Sequence, residues 1–369
     1  MGELAGVGRH VLDVATAGLP GLRLLVLCPE GPLAHALRDV GVGVIVAPFG
    51  PEAGLHQSIR QLRSVVHTLR PAVVHTHLAY ADLVAAVAFA ADRRVKLIST
   101  EHGIAQDDLV YHGSASRSWA RARLHSLRLR RFDALIAVSE STRETMEHKW
   151  RPSQPIHVIR NAVNVDGLTS VAQHRLATRN PAGPRILSLA RLAPEKRIDA
   201  LLHAVPFIVQ QCPAATVTIA GTGPDLAVLQ RLTTHLAIQD VVHFVGFVDS
   251  REALAENDVV VQLSTWENLS YTLLDAQVSG MEAVATNVGG NAEILPPDSL
   301  ISDLSPQAVA AAVLGAWERA QDGHSARGGH TKQDRRPFDD GGVAYMTEQI
   351  SSVALALLPS SNTFQEAGA

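Results

Sequence analysis

Short β-branched runs recur along this chain at LLVLCP, VGVIVAP, AVVHTH, KLIST, ALIAVS and HVIRN, and again at RILSLA, ATVTIAG, VVHFVG, DVVVQLS and EAVATN. Longer helix-forming stretches separate them. Strands that alternate with helices run parallel, because each crossover helix carries the chain back to the same end of the sheet. The expected class is therefore α/β. A chain of 369 residues exceeds one ordinary core. The alternation pauses between Asp166 and Pro184, where the segment ends in NPAGP, and then restarts. Two doubly wound, Rossmann-like domains are expected to face each other across a cleft, with ligands at the carboxyl ends of their strands. The expected division is 1–165, a linker at 166–184, a second domain at 185–342, a terminal helix at 343–358 and a frayed tail at 359–369. Within the second domain, the polar, Gly-rich stretch from Gln321 to Gly342 is expected to be a loop.

Composition removes several classes of function. Only Cys28 and Cys212 occur, so no disulfide framework exists and a reducing compartment is expected. No apolar run approaches the roughly 18 residues that span a bilayer. No charged segment followed by an apolar one opens the chain, and Gly6 stands where a myristoylation motif needs Ser or Thr. These features predict a cytoplasmic protein. Residues 1–165 carry 19 basic and 14 acidic side chains, and the remainder 13 and 22, so each half suits different partners. Neither balance points to nucleic acid.

The chemistry concentrates in RILSLARLAPEKRIDALL, ENLSYTLLD and TNVGGNAEIL. Arg191 and Lys196 follow a strand on the lip of a parallel sheet, where an Arg fork and a Lys ammonium suit a diphosphate. Cations beside a helix start oppose the helix dipole, which argues for an anion between them. Glu267 and Asp275, eight positions apart, suit hydroxyl groups such as those of a ribose and a sugar ring. The combination predicts a donor site for a nucleotide-sugar.

With GVGRHVLDVA, STEHG, IAVSES, VIRNAVN, RLAPEKR, IAGTGP, FVGFV and ENLSYTLLDA through VGGNAEIL in this order, the chain resembles the family-4 retaining glycosyltransferases of GT-B architecture over nearly its whole length. The resemblance implies a nucleotide-sugar donor held mostly by the second domain and an acceptor held mostly by the first. It implies that Arg191 and Lys196 stabilise the leaving diphosphate without a metal, that Glu267 faces the donor sugar, and that Asp275 meets the ribose. The amides around Leu269, Ser270 and Tyr271 would point at phosphate or sugar oxygens. His102 would lie near the reacting sugar, and Gly6 would let the backbone approach the donor phosphate. No cofactor and no metal are expected, since the histidines form no ligand cluster with acids or cysteines at a recognisable spacing. His75 and His77 are assigned to opposite faces of their strand, at least one of them as a packing residue.

The chain departs from the family pattern at several positions. Asp275 replaces a second glutamate, Asn268 a glycine, Glu282 a proline, Ala162 a glycine and Asn164 an aspartate. A positive φ at Ala162 would strain the NAVN turn by about 1 kcal/mol or more. The family opens with a central strand, whereas here Met1 begins inside the following loop, so the first domain is expected to lack that strand, and either the natural start to lie upstream or the gene to be truncated. In RSWARARLHSLRLRRF, a helix would place Arg117, Arg121, Arg128 and Arg131 within about 80° of one another. Such a stripe through 117–131 suits peripheral contact with the inner face of a membrane. The expected activity is transfer of a hexose-type sugar to a hydroxyl acceptor on a glycan, lipid or small molecule. The alternative is a catalytically impaired nucleotide-sugar-binding protein or partner subunit, and a nucleotide-sugar epimerase is a third reading. Neither base, sugar nor acceptor is coded in the sequence; loops near Phe247 and in the first domain decide them.

Overall fold

All eleven β-branched runs become strands in the computed structural model, which describes residues 6–104, 123–179, 181–322 and 342–359. The chain divides into two compact units, Met1–Asn161 with Val343–Ala369, and Ala162–Gly342.

The first unit runs α1 (Gly6–Ala17), β1 (Leu25–Cys28), α2 (Pro32–Asp39), β2 (Gly43–Val46), α3 (Leu55–Leu69), β3 (Val73–His77), α4 (Ala79–Ala88), β4 (Lys96–Glu101), β5 (Ala134–Ala137), α5 (Glu140–Trp150) and β6 (Ile156–Val158). Every strand pair is parallel, but the strands fall into two sheets, β1–β2 and β3–β4–β5–β6. No strand precedes α1 among the described residues. The packing repeats this split only in part, since Leu27 of β1 packs against the core of the larger sheet. Leu97, Leu135, Val84, Phe132 and Met146 centre a core on the larger sheet, while Ala15, Leu33 and Leu37 form a small separate cluster against Val26 and Val44.

The second unit begins with a correction. Residues 166–177, expected within a linker, form helix α6 (Asp166–Ala177), which buries Leu168, Val171 and Arg175. Arg175 donates to the carbonyls of Ser279 (3.0 Å) and Gly280 (2.8 Å), so a polar sequence is anchored through a buried cation rather than a wide apolar face. There follow β7 (Arg185–Leu189), α7 (Ile198–Gln211), β8 (Thr216–Ala220), α8 (Leu226–His235), β9 (Val242–Gly246), α9 (Ser250–Ala255), β10 (Val259–Gln262), α10 (Tyr271–Val278), β11 (Glu282–Thr286), β12 (Leu300–Ile301) and α11 (Pro306–Gln321). The parallel sheet has the order β12-β11-β10-β7-β8-β9. Its strand order reverses between β7 and β10, which makes the crevice beyond those two carboxyl ends the natural ligand site. Leu201, Leu202, Val205 and Ile208 from α7 and Val309 and Val313 from α11 pack with Ile186, Val217, Ile219, Val259 and Val261, burying the sheet.

The expected terminal helix is α12 (Gly342–Ala356), and it groups with the first unit. Most of the expected Gln321–Gly342 loop, and all but the first residue of the expected tail, lie outside the described residues. Among the described residues, no helix is long and apolar enough to cross a membrane.

Candidate functional site

Arg191 and Lys196 sit in the loop and short 3₁₀ turn (Pro194–Lys196) after β7, and Glu267 in the loop after β10. The two loops therefore flank the reversal point of the sheet. Thr265 N donates to Glu195 O at 2.8 Å and ties them together. The Lys196 ammonium pairs with the Glu267 carboxylate, which also accepts from Ser264 Oγ at 2.7 Å. Arg191 pairs with Glu195, an acid the sequence reading did not single out although it lies four positions on. Burial opposes ionisation of Glu195, but its own backbone amide and Arg191 outweigh that and hold its carboxyl below the usual range. The Arg191 side chain stays 63% exposed, while Lys196 is 22% exposed. The arrangement thus offers one solvent-facing guanidinium and one sheltered ammonium from a single loop.

Glycines set the position of both loops. A Cβ on Gly221 would lie 2.0 Å from the Ala190 carbonyl oxygen, and one on Gly223 2.2 Å from that of Leu192. On the other side, a Cβ on Gly289 would come within 1.7 Å of the Glu267 carbonyl oxygen and one on Gly290 within 2.0 Å of that of Asn268. The IAGTGP and VGGNAEIL segments are therefore the walls against which the cationic and acidic loops close. Gly221 and Gly289 also adopt φ values of +135° and +53°, which favour glycine.

Leu269 and Ser270 lead into α10 as expected. Ser270 caps the helix by accepting from Leu273 N (3.4 Å), and its hydroxyl donates to Gln262 Oε1 (2.7 Å). Thr272 Oγ1 reaches Leu189 O at 3.3 Å and ties the helix to the end of β7. The amino end of α10 is thereby held at the mouth of the sheet, where first-turn amides suit an anion. Asp275 lies one turn into α10 and is buried, with 1% of its surface exposed. Phe247, after β9, is 75% exposed. Ala162 and Asn268 have no positive φ, so neither glycine replacement strains the backbone.

Gly6 and His102 belong to the first unit. Gly6 is the exposed first residue of α1. His102, after β4, is not a lone imidazole. His77 Nδ1 lies 2.9 Å from its Nε2, and its ring centroid is 4.6 Å from that of His10 and 5.1 Å from that of His77. One ring nitrogen from each of these three lies within 4.8 Å of the others. Three elements distant in sequence thus bring three histidines together, which sequence spacing does not reveal. Strand alternation also puts residues 75 and 77 on one face, not two, and their rings lie 4.5 Å apart. Burial lowers His10 to about 4 and His75 to about 3. Burial, with repulsion among the rings, takes His77 and His102 well below the usual imidazole value. Leu78, next to His77, holds φ 77° and ψ 148°, a region costing non-glycine residues about 1–3 kcal/mol.

The basic stripe does not form as expected. Arg117 and Arg121 lie outside the described residues. Arg128 and Arg131 are 4% and 5% exposed. Arg128 pairs with Asp82 and, at 3.0 Å, with Glu101. Arg131 donates to the carbonyls of Phe89, Asp92 and Val95. Buried acids and carbonyls in the first unit use these guanidiniums, which leaves them unable to face a lipid surface.

Comparison with known proteins accords with this geometry. Residues 4–166 match Glycosyltransferase Family 4, and residues 183–319 match Glycosyl transferases group 1. Glycogen synthase of Mycobacterium tuberculosis is 31% identical over 328 residues, covering 79% of this chain and 76% of that protein. The GDP-mannose-dependent alpha-(1-6)-phosphatidylinositol monomannoside mannosyltransferase of the same organism is 29% identical over 175 residues, covering 44% of this chain and 46% of that protein. Among solved structures, Anabaena HepE in complex with UDP and glucose superimposes with a TM-score of 0.79 at 20% identity, covering 97% of this chain and 98% of that one. Sucrose-phosphate synthase from Thermosynechococcus elongatus gives 0.74 at 18% identity, covering 95% and 94%. Both likenesses are of fold, the GT-B fold.

Proposed function

This chain belongs to glycosyltransferase family 4, and we propose that it is a retaining enzyme that moves a hexose-type sugar from a nucleotide diphosphate-sugar to a hydroxyl acceptor. The observation that carries the reading is the convergence of Arg191, Lys196 and Glu267 from two loops at the reversal point of the second unit's sheet. As the bond between the sugar's anomeric carbon and the diphosphate oxygen breaks, negative charge grows on the leaving phosphate. Arg191 and Lys196 meet that charge in place of a metal. Both cations are already held by acids of the site, so a diphosphate would exchange with Glu195 and Glu267 as their partner. Glu267 is then released toward the sugar hydroxyls, while the capped start of α10 offers amides to the phosphates. The acceptor hydroxyl attacks from the face the diphosphate leaves, so the anomeric configuration is retained, and its proton goes to the departing phosphate oxygen. His102 serves as a neutral hydrogen-bond partner for a sugar hydroxyl, because its shifted titration leaves it uncharged at neutral pH.

The UDP and glucose of the HepE complex make UDP-glucose the first donor to test. A glycan acceptor has its counterpart in the glycogen synthase relative and a lipid one in the phosphatidylinositol monomannoside mannosyltransferase. A role in envelope polysaccharide or glycolipid synthesis on the cytoplasmic side is part of the same proposal. The test is release of nucleoside diphosphate from UDP- and GDP-hexoses with glycan, lipid and small-molecule acceptors, followed by proton NMR of the product's anomeric centre. Acceptor-dependent release with the donor's configuration kept supports the reading. Tight nucleotide-sugar binding without any release would replace it with the impaired, binding-only alternative.

A further inference from the structure

His10 in α1, His77 at the end of β3 and His102 after β4 meet in the first unit, with one ring nitrogen of each inside a 4.8 Å span. We propose that these three imidazoles form a binding site for a divalent first-row metal ion, Zn²⁺ by preference, with the fourth coordination position taken by water or a substrate oxygen. Three histidines and one exchangeable ligand are a recurrent zinc set, and imidazole suits ions of this class. A tetrahedral ion with bonds of about 2.0–2.1 Å needs ligand nitrogens about 3.4 Å apart. That value lies between the 2.9 Å separating His77 Nδ1 from His102 Nε2 and the 4.8 Å outer limit. Small rotations of the rings therefore suffice.

Metal ligation needs one unprotonated ring nitrogen from each of the three imidazoles. The orientation of the rings is also provided for. His10 Nδ1 donates to Asn161 Oδ1 at 3.1 Å, which fixes the tautomer whose lone pair is on Nε2. His75 packs against His77 from the same strand face while its own Nε2 is engaged by Thr100 Oγ1 at 2.7 Å. It supports the triad without adding a fourth ligand. The site lies in the first unit and Arg191 and Lys196 in the second, so this inference does not depend on how the diphosphate is held.

The experiment uses the full chain without an affinity tag, stripped of metal with a chelator and then dialysed. Co²⁺ is titrated while the visible ligand-field bands are followed, and Zn²⁺ is added in competition. One equivalent of Co²⁺ should produce the intense bands of four-coordinate cobalt, and one equivalent of Zn²⁺ should erase them. His77→Ala should abolish the bands, and Asn161→Ala should weaken affinity about 10–100-fold, as loss of an orienting partner does. Circular dichroism of both variants checks that they fold. Absence of the bands in the unaltered protein overturns the proposal, as does binding that survives both substitutions unchanged, which would place the metal on other histidines among the 17.

Discussion

The ammonium of Lys196 rests on the carboxylate of Glu267, 71 positions away in sequence, and the pair bridges the loops that follow two neighbouring strands. The contact is a direct consequence of the sheet order, because β7 and β10 are adjacent only where the winding reverses. Lys196→Ala should therefore reduce kcat/KM for sugar transfer about 10²–10³-fold, the usual result of losing a stabiliser of developing charge. Steady-state kinetics with the preferred donor checks this. A variant within threefold of the parent would remove Lys196 from the leaving-group chemistry.

The glycine walls make a separate prediction. Gly289→Ala forces a Cβ onto the Glu267 carbonyl at a φ of +53°, so the loop must move. Overpacking of this kind costs about 1–3 kcal/mol of stability. Donor affinity should fall with it, since the displaced loop carries Glu267. Thermal unfolding with and without UDP reads both effects at once. Unchanged UDP affinity would mean that the loop's position does not matter to the donor.

Acid should destabilise the protein through its histidines. The folded state holds His10 at about 4 while an unfolded imidazole titrates near 6.5, so the unfolded chain binds more protons between those values. The contribution of neutral His10 is complete above about pH 6.5, declines as pH falls, and is gone by about pH 4. Its size is about 3 kcal/mol at about 1.4 kcal/mol per pK unit. His75 acts in the same direction. Urea unfolding across this range should show a smaller acid-side loss for His10→Asn than for the parent chain. Parallel profiles would refute the assignment.

Arg128 should behave as a core residue. With Asp82 and Glu101 left facing each other, Arg128→Ala should cost about 3–5 kcal/mol, as does breaking a buried ion pair by removing one partner. The half-exposed Arg143, paired with Glu140 and Glu147 on one helix face, should tolerate the same change with little effect on Tm. Equal Tm shifts would contradict this contrast.

Much of this fold could be read from the chain because strand and loop chemistry are local. The β-branched runs became β1 to β11 where expected, and only the two-residue β12 had no run to announce it. The placement of Arg191, Lys196 and Glu267 at the mouth of the sheet was legible because each lies just past a strand, where parallel sheets place ligands. The histidine triad was not, since His10, His77 and His102 come from separate elements and meet only through the tertiary fold. The period of two, correctly applied, would have placed His75 and His77 together. A helical wheel gathers Arg128 and Arg131 on one face but cannot say whether that face meets water or buried acids. Helix α6 is masked in the sequence because its inward residues, Leu168, Val171 and Arg175, include a charge. Their spacing of three and four was nonetheless a helix signal.

The most direct test of the central claim is calorimetric titration of UDP, GDP and ADP into the unaltered chain and into the Arg191→Ala/Lys196→Ala double variant. One diphosphate should bind the unaltered chain, and the double variant should bind it at least about tenfold more weakly while keeping its fold by circular dichroism. Equal affinity in the two proteins would contradict the account, because the diphosphate would then be held somewhere other than the crevice between β7 and β10.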